Sequence, residues 1–131
     1  MNKIKKTILV FILLFMCNLV FAQSIVSEPS QDPKAAYRLF KTMNMWTFIK
    51  LNTITGQMWQ IQYGFENDNR GSYLLNSQNL AGKKKQISGR FTLYPTSNMY
   101  NFILLDQIDG NTWQVQWSFD EEKRLVIPIS N

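Results

Sequence analysis

The chain has no histidine, and its one cysteine, Cys17, sits in an apolar stretch near the N-terminus. These absences remove the imidazole base, the thiolate nucleophile, and the usual nitrogen and sulfur ligands of zinc, copper and iron. A Ser-His-Asp triad and a Cys-His pair are therefore impossible. What survives is carboxylate, lysine or tyrosine acid–base chemistry, or an oxygen-ligand Ca²⁺ or Mg²⁺ site. A single cysteine also cannot close a disulfide within the chain. The fold must rest on its hydrophobic core, which a domain of about 100 residues can supply.

The first residues read as an export signal. Lys3, Lys5 and Lys6 precede an apolar run from Ile8 to Phe21, interrupted only by Cys17 and Asn18, and Val20 and Ala22 stand at the −3 and −1 positions of a small-residue cleavage site. This pattern predicts a signal peptide over 1–22, cleaved after Ala22, and a secreted or periplasmic protein beginning at Gln23. The run is shorter than the ~20 residues that span a bilayer. Cys17 as an acylated lipoprotein cysteine is disfavoured by the bulky Met16 before it. The whole chain carries 14 Lys and Arg against 9 Asp and Glu. Three of those lysines lie in the leader, which leaves 11 basic against 9 acidic residues, a net +2. The pI of about 9.4 is thus no nucleic-acid footprint, so no nucleic-acid partner is expected, and membrane contact only through the export signal.

Residues 23–35, with Pro29, Pro33, three serines and Asp32, read as a flexible tether. The remainder, 36–131, reads as one β domain of two repeats, 36–76 and 90–131. Setting 37–66 on 91–120, an offset of 54, gives 13 identities in 30 positions, among them Leu39/Leu93, Phe48/Phe102, Ile49/Ile103, Gly56/Gly110, Trp59/Trp113, Gln60/Gln114, Gln62/Gln116 and Phe65/Phe119. Self-similarity of this strength marks a duplicated supersecondary unit. No segment after the leader has a sustained helical period.

Each repeat reads as a meander of four short strands. The first is Tyr37–Lys41, or Phe91–Tyr94, where Pro95 ends it because proline cannot donate to a ladder. The second is Trp46–Asn52, or Tyr100–Asp106. Gly56 and Gly110 supply a positive φ to the hairpins that follow. Met58–Phe65 and Thr112–Phe119 form the third, and Tyr73–Leu75 and Leu125–Ile129 the fourth. Thr42 and Asn44, with Thr96 and Asn98, cap the turns between first and second strands by side-chain hydrogen bonds.

Along the third strand Trp59, Ile61, Tyr63 and Phe65 alternate with Gln60, Gln62 and Gly64; Trp113, Val115, Trp117 and Phe119 repeat the pattern. Period two with one apolar face predicts a half-buried antiparallel strand whose aromatic face is core. The second strand is apolar on both faces, so something must cover its outer side. The fold class is therefore all-β: two tandem four-stranded antiparallel meanders forming a small β-sandwich or barrel. A four-stranded unit also resembles a propeller blade, although two blades close a ring only if chains assemble.

Candidate functional residues follow from the duplication. Phe40/Tyr94, Trp46/Tyr100 and Phe48/Phe102 either make an aromatic recognition surface or pack between the meanders, and Lys50 on the Phe48 face points to partial exposure there. Gln60, Gln62, Gln114 and Gln116 place four amides where they could bind sugar hydroxyls or a partner's backbone, or simply keep a sheet face soluble. Asp106 and Asp109 flank one hairpin turn, but their counterparts are Asn52 and Thr55, so turn geometry explains them better than a metal site. Asp120, Glu121 and Glu122 are adjacent loop acids, and Lys83, Lys84 and Lys85 a basic loop run. Both are read as solvated.

The segments Leu93-Tyr94-Pro95-Thr96, Asn98-Met99-Tyr100-Asn101-Phe102 and Asp109 to Trp117, with a leader ending Phe21-Ala22-Gln23, resemble the tandem units of small secreted proteins of the Bacteroidetes type. The resemblance implies an envelope location; by analogy such proteins are inhibitors or immunity factors. The sequence points to a non-catalytic exported interaction module, using no cofactor and no metal, that binds a protein partner. The alternatives are a carbohydrate-binding module with a glycan ligand and a carboxylate-dependent envelope hydrolase. A homodimer is compatible with the duplication.

Overall fold

A computed structural model describes residues 2–4 and 29–129. The expected cleavage after Ala22 and nearly all of the leader lie outside the described residues. Among the described residues no helix is long and apolar enough to cross a membrane.

The chain is all-β. Strands β1 (Tyr37–Lys41), β2 (Thr47–Asn52), β3 (Met58–Gln62) and β4 (Gly71–Asn76) form one antiparallel sheet in chain order. Strands β5 (Phe91–Pro95), β6 (Asn101–Asp106), β7 (Thr112–Gln116) and β8 (Leu125–Ile129) form the second, also in chain order. The sheets are packed face to face and are not closed into a barrel. One-turn 3₁₀ helices, Asn67–Asn69 and Glu121–Lys123, precede β4 and β8. The register repeats: Leu39 lies opposite Lys50 and Leu93 opposite Leu104, while Ile49 lies opposite Gln60 and Ile103 opposite Gln114.

The turns form as their side chains dictate. Thr42 Oγ1 donates to the carbonyl oxygens of Asn44 and Thr47, and Asn44 Oδ1 accepts from the Trp46 N–H. Thr96 and Asn98 repeat both motifs. Asn52 Oδ1 accepts from the N–H groups of Ile54 and Thr55, as Asp106 Oδ1 does from Ile108 and Asp109. Gly56 and Gly110 close these hairpins with φ of 79° and 77°, a region in which any Cβ is strained. Pro95 is included in β5, which tolerates it as an edge strand. The third strands are shorter than expected, ending at Gln62 and Gln116, although Tyr63 and Trp117 each donate one further backbone bond to Trp46 and Tyr100.

The core lies between the sheets, and here the duplication is broken. Sheet one buries Phe40, Ile49, Leu51, Met58 and Gln60; sheet two buries Phe91, Leu93, Phe102, Leu104, Val115 and Trp117. These are opposite faces of equivalent strands. Leu93 is 4 % exposed and Leu39 52 %; Trp117 is fully buried and Tyr63 is 44 % exposed. Phe40 is buried while its counterpart Tyr94 is exposed. The expected aromatic core face of the third strand therefore holds in the second repeat and is reversed in the first, where Met58 and the amide of Gln60 point inward. The reason is the packing operator. Strand β4 runs beside β8 and β2 approaches β5, and because opposite faces of equivalent strands meet, the sheets stack head to tail rather than about a two-fold axis. A head-to-tail stack joins non-equivalent faces.

Between the sheets, residues 77–90 bind both. Thr53, fully buried, receives the Phe91 N–H on its carbonyl oxygen and the Gly89 N–H on its hydroxyl. Leu80 donates its N–H to the Thr55 carbonyl oxygen and packs against Gly56. Gln60 accepts the Ser118 N–H across the interface at 3.2 Å.

Candidate functional site

The structure separates the ten candidate residues. Phe40, Gln60 and Phe102 lie between the sheets and belong to the core. Trp46 and Phe48 lie on the outer face of sheet one, half-buried, while Gln62, on the same side of β3 as Met58 and Gln60, is half-buried at the end of the sandwich beside Phe119. Tyr94, Gln114 and Gln116 lie on the outer face of sheet two, and Tyr100 stands exposed at its rim. The proposed single surface is thus two surfaces, on opposite sides of the sandwich, because the sheets stack head to tail.

On sheet one, strand alternation sends Tyr37 and Leu39 of β1, Phe48 and Lys50 of β2, and Trp59 and Ile61 of β3 outward. The rings pack on one another: Tyr37 and Trp59 are 6.3 Å apart, Trp46 and Tyr63 5.2 Å, Phe48 and Tyr63 6.0 Å. Trp46 meets Phe65 edge-on at 5.7 Å, and Phe65 is 93 % exposed. The ammonium of Lys50, at the centre of this face, lies 4.6 Å from the Trp59 ring centroid, a cation–π contact that leaves its stem along apolar surface. Trp46, Gln62, Tyr63, Phe65 and Phe119 line a concavity of about 370 Å³ at one end.

The same ring pairs recur in sheet two, where Phe91 and Trp117 are buried, Trp113 is half-buried and Tyr100 is exposed at the rim. Phe91 and Trp113 are 6.1 Å apart, Tyr100 and Trp117 5.1 Å. Trp117 is further held by its indole N–H, which donates to the Met99 carbonyl oxygen at 2.9 Å. Sheet one therefore exposes Tyr37 and Tyr63 where sheet two buries Phe91 and Trp117. The outer face of sheet two carries Tyr94, Ile103, Leu105, Ile127 and Ile129 around Gln114, and Gln116 donates its side-chain amide to the Lys123 carbonyl oxygen.

A cleft of about 410 Å³ opens between β1 and β5, lined by Arg38, Phe40, Lys41, Tyr94 and Phe102 among others. The Arg38 side chain is nearly buried there and donates to the Asp32 carbonyl oxygen at 3.5 Å.

The charged residues read from the sequence are engaged structurally. Arg90, buried beside β5, forms a forked pair with Asp106 (3.1 and 2.7 Å) and reaches Asp109 at 2.9 Å. Lys84 also pairs with Asp109, and the Lys85 carbonyl oxygen accepts from Arg90. Burial by itself would raise the Asp106 carboxyl, but the Arg90 guanidinium and the N–H groups of Ile108 and Asp109 outweigh it and hold the carboxyl below its ordinary range. Hydrogen bonding to Asp106 raises Arg90 in turn, against the cost of its burial. In the first repeat the three positions are Ala36, Asn52 and Thr55, so the charges come and go as a set. Sequence reasoning missed Arg90. The signal available was this joint substitution at one offset.

Asp120 caps the second 3₁₀ turn by accepting the Glu122 N–H, and pairs with Lys123 at 3.1 Å. The Lys123 bond first, then the Glu122 N–H, hold its carboxyl low, the opposite of what a general acid requires at neutral pH. Glu121 and Glu122 are exposed. Among the described residues no group of three or more His, Cys, Asp or Glu is placed to hold a metal ion. No protein-family profile, curated protein or solved structure matches the chain.

Proposed function

We propose that this chain is a non-catalytic, exported interaction module that binds a protein partner through the aromatic outer face of its first sheet. The observation that carries the reading is the exposure of Tyr37, Leu39, Tyr63 and Phe65 beside the half-buried Trp46, Phe48 and Trp59. Rigid aromatics in one exposed patch give large contact area at low entropy cost and mark interaction sites. The absence of histidine and the engagement of Asp106, Asp109 and Asp120 in structural pairs favour this over a hydrolase.

The test is affinity capture from envelope and culture-supernatant extracts with the protein from Gln23 onward, beside a Trp46→Ala, Phe65→Ala variant of unchanged melting temperature. A protein retained by the parent and lost by the variant is the expected result. Equal retention by both removes the surface from the function. Retention of polysaccharide alone transfers the face to the carbohydrate-binding reading.

A further inference from the structure

The two sheets of one chain already display a complete interface between the inner face of sheet one and the inner face of sheet two. Because the repeats are equivalent in sequence, the outer face of sheet two is the counterpart of sheet one's inner face. Likewise, the outer face of sheet one is the counterpart of sheet two's inner face. Tyr94, Ile103 and Leu105 outside sheet two stand where Phe40, Ile49 and Leu51 stand inside sheet one. Leu39, Phe48 and Tyr63 outside sheet one stand where Leu93, Phe102 and Trp117 stand inside sheet two. Each chain thus ends in two half-interfaces of the kind it has already joined once, with one difference: Lys50, laid along the Trp59 ring, stands where Leu104 is buried in sheet two.

We infer that the partner of the aromatic face is a second copy of this chain, whose sheet-two outer face docks on it in the same head-to-tail register, so that copies stack sheet upon sheet and close into a ring. This rests on the reading of that face as an interaction surface and names its occupant. A head-to-tail interface does not use itself up on pairing, so it ends only by closing a ring. Rings of about four to eight four-stranded blades close stably, which corresponds to two to four copies. The register also assigns one polar contact. Within the chain Gln60 accepts the N–H of Ser118; the counterparts are Gln114, half-buried on the outer face of sheet two, and Gly64 beside the aromatic concavity. Gln114 of one copy then takes the Gly64 N–H of the next.

The experiment is mass determination by light scattering and native mass spectrometry on the protein from Gln23 onward. It compares the parent with variant one (Leu39→Arg, Tyr63→Arg) and variant two (Tyr94→Arg, Ile127→Arg), all four positions being at least 44 % exposed. The parent is expected as one species of two, three or four chains, each variant alone as a monomer, and an equimolar mixture as a one-to-one heterodimer, since each supplies the face the other lacks. Gln114→Leu is expected to weaken the parent assembly by roughly ten-fold, the scale of one buried hydrogen bond. A variant that still dimerises alone overturns the head-to-tail register, because only a face pairing with itself allows it. A parent that is monomeric at every concentration overturns the inference whatever the variants do. If that monomer still captures another protein through Trp46 and Phe65, the interaction reading survives; if it captures none, both fall.

Discussion

Leu39 and Leu93 are the same residue at the same repeat position, yet one is half in water and the other is core. Truncating each to alanine isolates the effect of the packing operator from that of the side chain. At Leu93 the loss includes transfer free energy and a cavity between two sheets, about 3 kcal/mol within the usual range for buried leucine. At Leu39 half of the side chain is already solvated and no enclosed cavity can form, so the cost stays under ~1 kcal/mol. For a domain of this size the Leu93 variant melts on the order of 10–20 °C lower and the Leu39 variant only a few degrees lower. Ile49 and Ile103 supply the mirror control, because there the first repeat holds the core position: Ile49 is fully buried and Ile103 only partly. Ile49→Ala costs about 3 kcal/mol and Ile103→Ala about 1 kcal/mol. Urea unfolding of the four variants, at the lowest concentration that gives a signal, reads all four values without contribution from association. Equal costs within each pair would refute head-to-tail packing. The second repeat proving more sensitive in both pairs would show only that it is the stabler half.

The buried Arg90–Asp106 pair gives a second expectation. Arg90→Met strands a buried carboxylate and lowers stability by about 3–5 kcal/mol. The triple change Arg90→Ala, Asp106→Asn, Asp109→Thr, which installs the first repeat's residues, recovers most of that loss in the same urea assay. Because the Asp106 carboxyl is held below its ordinary value, its contribution is fully present above about pH 4 and is lost as pH falls through the depressed value. Thermal melts should therefore be flat from pH 5 to 8 and fall below pH 4, with a shallower acid fall in the triple variant. Alanine at Gly56 or Gly110 meets the same positive φ, about 1–2 kcal/mol of strain. Only at Gly56 does the new Cβ also meet Leu80, at 3.0 Å, so Gly56→Ala melts lower than Gly110→Ala. Equal melts would mean Leu80 moves aside freely.

The expectation of two antiparallel meanders was legible because its causes are local. Thr42, Asn44 and Asn52, with Thr96, Asn98 and Asp106, satisfy backbone N–H and C=O groups within a few residues, and Gly56 and Gly110 permit conformations no other residue adopts freely. Strand ends were less legible. Whether Tyr63 or Trp117 continues a strand depends on how far its neighbour follows, and β4 extends beyond Tyr73–Leu75 because β3 supplies partners out to Met58. Which candidate site residues would be exposed was legible only in part: Lys50 marks the Phe48 face of β2 as the wetter one, as the structure has it, but no such charge sorts the other candidates. Phe40, Gln60 and Phe102 look equivalent in sequence to Tyr94, Gln114 and Phe48, yet the former are interior and the latter are not fully so.

By itself, then, the sequence determined the all-β class, the duplication, the turns, and the absence of imidazole and disulfide chemistry, since each follows from residue type and spacing along a short stretch of chain. Tertiary structure decided most of which face of each repeat became core. Both faces of β6 are apolar, and in β2 only Lys50, where the second repeat has the buried Leu104, marks one face as the outer one. The choice falls to the operator that stacks one sheet on the other, and it buries Gln60 in one copy while leaving Tyr63 and Phe65 in water.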